Sequence, residues 1–275
     1  MLTKQTFAVI DKEIKDCIQK TLDNIKANSI DNYVLFLAVG EYRKEYISPQ
    51  LKISPFVIDY RMDKYKDETR LKFLSNFLSA FYSFPSSQSS TDDNEQRLHM
   101  ELMIYSHIWE SKPFLRKLHR FAHLDNKEEY NWNVIIPDMR KHNFIRNDIR
   151  KAFEINNNPL AEVIKKGFHT SLRNAFAHSE YSFDSNDKVR SIILYNYSGE
   201  PWELRDISFN DWSLRFVYSA LLSYYLLDLT HKSRINLINE FGKDTFNIKH
   251  PSKSGGLNNV IIEYRQECDS FNFKR

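Results

Sequence analysis

The sequence predicts a mainly α protein, a helical bundle with a small antiparallel β-meander inserted before its last long helix. Three observations carry that prediction. Glycine and proline are scarce, 6 and 8 in 275 residues, whereas turn-rich β folds need many residues that accept positive φ or preset a turn. Apolar residues recur at helical spacing through most of the chain. Only after residue 178 does the pattern change to short apolar runs separated by Ser, Asn, Asp, Gly and Pro.

Residues 3–27 read as a helix, with Phe7, Ile10, Ile14, Cys17, Ile18, Leu22 and Ile25 on one face. A second helix is expected over Tyr33 to Tyr46, then a less regular stretch containing Pro49 and Pro55. A third runs from Asp67 through Leu71, Leu74, Phe77 and Phe81 and stops at Pro85. Residues 85–95 are the one low-complexity segment and read as a solvated linker. A long helix from Gln96 carries Leu98, Leu102, Tyr105, Ile108 and Trp109, breaks near Pro113 and resumes to Phe121; another spans Asp138 to Ile155. Asn158 as N-cap and Pro159 at the first helical position, where its missing N–H costs nothing, start the next helix. That helix repeats Leu160, Ile164, Phe168, Leu172 and Phe176 every fourth residue.

Tyr181 and Phe183, Val189 to Tyr197 and Trp202 to Ile207 read as strands, turning at Ser185-Asn-Asp and at Ser198 to Pro201. Ser208-Phe-Asn-Asp211 fits a capping box. It opens a helix so apolar, to about Asn239, that it belongs inside a bundle. The tail from Gly242 reads as irregular, with a strand at Val260 to Tyr264. The expected organisation is a helical N-terminal extension, residues 1–63, and a helical domain, residues 64–275. Nothing in composition separates the two, and one compact unit also fits.

Hydrophobic residues at 41% and charged residues at 27% describe a globular chain rather than a disordered one. The longest apolar stretch, Phe216 to Leu229, is interrupted by Ser219, Ser223 and Asp228 and is too short to span a bilayer. The N-terminus meets Asp11-Lys12-Glu13 before any apolar run, so no secretory segment is expected. Cys17 and Cys268 form neither a disulfide framework nor a metal spacing, which fits a reduced cytoplasmic setting. A net charge of +3 permits nucleic-acid binding without arguing for it. His99, His107, His119 and His123 have a mixed spacing that fits a core or solvated helix rather than a metal site. No Gly-rich phosphate loop or His-Glu-x-x-His pair occurs, so neither metal nor cofactor is expected.

One motif carries chemistry. The chain reads Arg173-Asn174-Ala-Phe-Ala-His178-Ser-Glu-Tyr181 at the end of an amphipathic helix. Asn174 and His178 are i,i+4 neighbours on one face. Arg173 lies about 100° round the helix, but its long planar fork can reach the same phosphate. Cleaving RNA by 2′-hydroxyl attack needs a base for the 2′-OH, a cation for the crowded phosphate and an acid for the leaving oxygen. Histidine titrates near neutral pH and suits either proton role. A second Arg-to-His spacing, Arg116 to His123, is followed by Lys117 and reads as a basic helix face.

The Arg173-x4-His178 stretch, with Asn174 after the arginine and strands plus an apolar helix following, resembles the signature of the HEPN superfamily of helical bundles. The resemblance implies a HEPN-like fold from about residue 64 to 241. It also implies a metal-independent endoribonuclease of a bacterial defence or toxin–antitoxin type, leaving 2′,3′-cyclic phosphate ends. Arg173, Asn174 and His178 are the implied catalytic residues, with His169 and Tyr181 as substrate contacts. One helix supplies only one histidine, so the resemblance implies a homodimer that brings two motifs together. Glu110 is a candidate to line the groove. Some HEPN toxins carry Arg-x4-His-x-Tyr, whose tyrosine a partner modifies. Here Ser179 and Glu180 both separate His178 from Tyr181, which puts that antitoxin pairing in doubt. The alternative reading is a non-catalytic HEPN module that binds RNA or a partner, or serves oligomerisation.

Overall fold

A computed structural model of the chain describes residues 2–47, 54–85, 89–91, 95–184, 190–196, 199, 202–252 and 255–274. The fold is mainly α, with small antiparallel sheets. Its axis is α10 (Phe209–Ile235). Ser208 caps this helix as its sequence promised, the Oγ accepting from the Asp211 N–H at 3.1 Å. Trp212, Phe216, Val217, Ala220, Leu222 and Leu226 are completely enclosed. A helix apolar on every side needs neighbours on every side, and α10 has them.

The first neighbour comes from the N-terminal residues. In α1 (Lys4–Asn28), Ile10, Ile14, Ile18, Leu22 and Ile25 form a buried stripe packed along α10. Thr3 caps it, accepting from the Thr6 N–H. The helix α2 (Ile30–Leu37) buries five consecutive residues from Tyr33 to Leu37. It ends far short of the expected Tyr46. Val39 adopts a left-handed backbone, and a Cβ on Gly40 would lie 2.7 Å from Leu35 and 2.9 Å from Trp132. The chain turns there into β1 (Glu41–Tyr42), paired with β2 (Phe56–Val57). Next, α3 (Arg61–Phe81) starts six residues before the expected Asp67 and runs straight through the 63/64 junction. The apolar core is continuous from Leu2 to Phe271.

Of the expected linker, residues 86–88 and 92–94 lie outside the described residues; Leu2 and Thr91 exchange hydrogen bonds, pinning its middle. Then α4 (Glu95–Glu110) and α5 (Lys112–Asp125) meet at Ser111, which caps α5, with Pro113 in its first turn. The helix expected from Asp138 begins later and is not regular. It comprises α6 (Lys141–Asn143), a π-helical stretch (Phe144–Arg150) and α7 (Lys151–Ile155), entered through a left-handed Arg140.

The helix expected to run unbroken past Leu160 is two helices, α8 (Leu160–Gly167) and α9 (Thr170–Ala177). All five residues of the four-residue repeat are buried, so the pattern located the core face correctly. The break has a packing cause. Gly167 sits against α10, where a Cβ would lie 3.0 Å from Ser219 Oγ and 3.3 Å from Ser219 N. Phe168 is extended, and His169 then caps α9, its Nδ1 accepting from the Ser171 N–H at 3.2 Å. Asn158 Oδ1 accepts from the Leu160 N–H, but α8 starts one residue later than expected, with Pro159 in the cap position.

The meander is present between α9 and α10. Strands β3 (Tyr181–Asp184), β4 (Ser191–Leu194) and β5 (Asp206–Ser208) pair antiparallel in chain order. The turn expected at residues 185–187 lies outside the described residues, as does that at 198–201 apart from Gly199. After α11 (Leu237–Phe241), the tail is not irregular. It forms a sheet of β6 (Thr245–Pro251), β7 (Leu257–Arg265) and β8 (Ser270–Phe273). Alternation hides the reason: Phe246, Ile248, Ile262, Tyr264 and Phe271 point inward, while charged residues between them dilute the signal. No helix among the described residues is long and apolar enough to cross a membrane.

Two stability measurements probe this packing. Gly167→Ala should destabilise by ~1–2 kcal/mol, because overpacking against the α10 backbone outweighs a helix-propensity gain of at most ~1 kcal/mol; chemical denaturation reads it. His119 is stacked between His123, centroids 4.0 Å apart, and Phe144, 5.3 Å away. Burial, with help from His123 and Arg120, lowers its pKa to about 3. The unfolded chain therefore binds a proton near pH 6.5 that the folded chain refuses. Stability is intact above that pH and falls as pH drops from 6.5 toward 3. His119→Phe keeps the ring and should flatten this part of the stability–pH curve.

Candidate functional site

The motif residues lie where α9 ends. That end is closed by a Schellman arrangement: the Glu180 N–H donates to the Ala175 carbonyl at 2.8 Å and the Ser179 N–H to that of Phe176 at 3.3 Å. The position beyond the cap is usually glycine, but here Ser179 adopts φ 58°. His178 is the cap residue, its N–H donating to the Asn174 carbonyl at 3.1 Å. His178 thus sits one turn from Asn174 and is exposed to solvent.

Behind it the helix is anchored by Phe176, whose ring meets Trp212 and Tyr105 edge-on at centroid separations of 5.0 and 5.9 Å. Tyr105 also fixes the start of α9, its hydroxyl accepting from the His169 N–H at 2.9 Å. Both ends of an eight-residue helix are therefore tied to α4 and α10.

Arg173 does reach across the helix. Its Nη1 donates to Asn174 Oδ1 at 2.7 Å, so the two motif residues form one unit. Its Nε side is ion-paired with Glu110, at the end of α4, and the other oxygen of that carboxylate holds Lys141. Burial pushes the Glu110 carboxyl up, but the hydrogen bonds and charges of Lys141 and Arg173 win and hold it below the usual carboxylate range. A guanidinium carries five N–H donors, so these two contacts leave Arg173 with capacity for a phosphate.

His169 is half-buried, and its pKa is lowered to about 4, first by burial and then by Arg215. At neutral pH it is uncharged, and its Nδ1 is committed to capping α9. Its Nε2 lies 3.9 Å from Glu203. Tyr181 begins β3, packs edge-on against Phe176 and sits with its hydroxyl 3.3 Å from His99 Nδ1. Both candidate substrate contacts thus also serve to hold the motif helix and the meander.

The structure brings Arg173, Asn174, His178 and Glu110 to one surface. It adds Lys141, and beside it Arg140, His142 and Arg146, which lie some thirty residues before the motif and offered no sequence signal of proximity. The other Arg-to-His spacing is used internally. Arg116 pairs with Glu41 at 2.6 Å, and His123 Nδ1 lies 2.8 Å from Glu128. No group of three potential metal ligands occurs among the described residues. Cys17 and Cys268 are free thiols. Comparison with protein-family models, with curated proteins and with solved structures finds no match.

If Glu110 holds the Arg173 fork in place, Glu110→Gln should free it. The Arg173 Nε–H should then shift its resonance in ¹⁵N–¹H spectra; an unchanged resonance would remove Glu110 from the site.

Proposed function

We propose that the protein is a metal-independent endoribonuclease of the HEPN type, acting through a composite site made by two copies of the chain. The observation that carries this reading is the joined Arg173–Asn174 pair one helical turn from an exposed His178. A cation and a proton-transfer group are thereby presented together on a fixed helix end.

The reaction is an internal displacement at phosphorus. The 2′-hydroxyl of one nucleotide loses its proton to a base, and its oxygen forms a bond to the adjacent phosphorus. The bond to the 5′-oxygen breaks, and that oxygen takes a proton from an acid, leaving a 2′,3′-cyclic phosphate and a 5′-hydroxyl. His178 fills one proton role, and His178 of a second copy fills the other. Arg173 neutralises the phosphate as charge builds on it, a role in which removal of one donor typically costs about 10²–10³-fold in rate. Asn174 orients Arg173 through its side-chain oxygen. A place in bacterial defence or in a toxin–antitoxin pair follows from the same resemblance, and a cytoplasmic setting from the two unpaired cysteines.

The competing reading is a HEPN module that binds RNA or a partner without cutting. The ion pair between Arg173 and Glu110 favours it to this extent: the guanidinium already has a carboxylate where a phosphate would sit.

The deciding experiment is cleavage of single-stranded RNA in EDTA by the wild type, His178→Ala and Arg173→Ala, matched for folding and oligomeric state. The proposal expects cutting by the wild type and a loss of at least ~10²-fold in each variant. Equal cutting by all three would remove the motif from the chemistry. Binding without cutting by a wild-type dimer would favour the competing reading.

A further inference from the structure

Beside the motif, the segment from Arg140 to Arg146 gathers positive charge that the proposed reaction does not use. Arg140 is exposed and left-handed, at φ 56°. Lys141 follows and is joined to Arg173 through Glu110. Arg146 lies on the first turn of the π-helical stretch, a form that occurs mostly as short insertions and frequently at functional sites. Its Nη2 is 3.6 Å from Glu203, the same carboxylate that lies 3.9 Å from His169 at the start of α9.

The segment is thus connected to the motif helix twice, through Glu203 at its N-cap His169 and through Glu110 at Arg173 in its middle. On it and Arg173 together, four permanent cations (Arg140, Lys141, Arg146 and Arg173) are set against Glu110, Glu203 and the exposed Asp138, which Lys112 also holds. The surplus is local: the whole chain carries only +3. His142 feels it, its pKa lowered by burial and then by Arg146, Arg173 and Arg140, with Glu203 opposing. Those arginines therefore crowd one small region.

Beneath the segment, Phe144, Ile145 and Ile149 are buried, and Phe144 stacks on His119 with ring planes 11° apart. The π-helical register keeps these three inward while leaving Arg146 at the surface. Arg140, Arg146 and Arg173 all act on His142, which puts three guanidinium groups, each suited to bidentate contact with phosphate oxygens, in one region.

We infer that Arg140 and Arg146 form a ledge that binds phosphates of single-stranded RNA neighbouring the one held at Arg173, setting affinity and the path of the strand. This rests on the proposed function for the identity of the ligand, but not on its chemistry. Being sequence-independent backbone contacts, they position the strand without reading its bases. Arg146 gives up its long contact to the 70% exposed Glu203 side chain when a phosphate arrives.

The test uses a single-stranded RNA oligonucleotide fully 2′-O-methylated, which cannot undergo the internal displacement. Its affinity for the full-length protein is measured across salt concentrations for wild type, Arg140→Ala/Arg146→Ala and His178→Ala. For single strands the slope of log K against log salt is about −0.7 per phosphate neutralised, so losing two contacts should flatten it by ~1.4. His178→Ala should leave the slope unchanged. With cleavable RNA, the double variant should raise KM and leave kcat unaltered, as expected for contacts made equally in ground and transition states.

An unchanged slope in the double variant overturns the ledge, even if the wild type cuts RNA in a His178-dependent way. A flattened slope in a protein that never cuts keeps the ledge and defeats the nuclease. A wild type that does not bind RNA at all defeats both. Should the double variant be poorly folded, Arg140→Gln/Arg146→Gln, which keeps most of the side-chain packing, gives the same slope comparison.

Discussion

Burial of α10 is the constraint on which the rest of the structure depends. Its residues are enclosed on all sides, so helices from distant parts of the chain must surround it: α1, α3, α4 and α8 each pack along it. A carboxylate is among the polar groups admitted into that interior. Glu101 is completely buried and is surrounded by the Arg97 guanidinium, the Tyr82 hydroxyl and the Trp212 indole N–H, the last at 2.9 Å. Burial alone pushes the Glu101 carboxyl up, and these partners act against it. Removing one partner from such a pair would leave a desolvated charge, which costs ~3–5 kcal/mol. The cluster therefore fixes how α4 and α10 sit against each other more strictly than apolar contact would.

That register reaches the motif directly. Trp212 offers its N–H to Glu101 and its ring to Phe176, so the same side chain that locks α4 to α10 also seats the last turn of α9. Tyr105, on α4, packs against Trp212 and Phe176 and accepts from the His169 N–H. The position of His178 is consequently inherited from the buried core and not from the exposed loop around it. The backbone at His178 is therefore placed by packed rings and not by the surface around it.

The sequence made the core legible and part of the site. The four-residue repeat from Leu160 identified a buried face that the break at Gly167 does not disturb, because the helix restarts with Leu172 and Phe176 still inward. What it could not reveal was the break itself, since the cause is Ser219, some fifty residues away. The same holds for α2, stopped by Trp132 against Gly40. The tail sheet was legible only at Val260 to Tyr264. Its other strands mix buried aromatics with Lys249, Asn272 and similar residues, and their pairing is long-range. The motif was visible because it is local. Glu110 was a candidate to line the groove, without a partner being evident. Arg140 and Arg146 gave no sign, because proximity to Arg173 is created by the turn at Arg140 and by the π-helical register.

The balance of charge around Arg173 has a consequence for how a phosphate would enter. In the free protein Glu110 is shared between Arg173 and Lys141, so none of the three ions is half-buried without a partner, a state that would be costly. A phosphodiester approaching the fork has to compete with Glu110. Lys141 lowers the cost of that exchange, since the displaced carboxylate keeps an ammonium partner. The Asn174 contact persists through the exchange because it uses a different nitrogen of the fork. Arg173 can thus change its anionic partner without losing its orientation, which a lysine at that position, with one point charge and no planar fork, could not do.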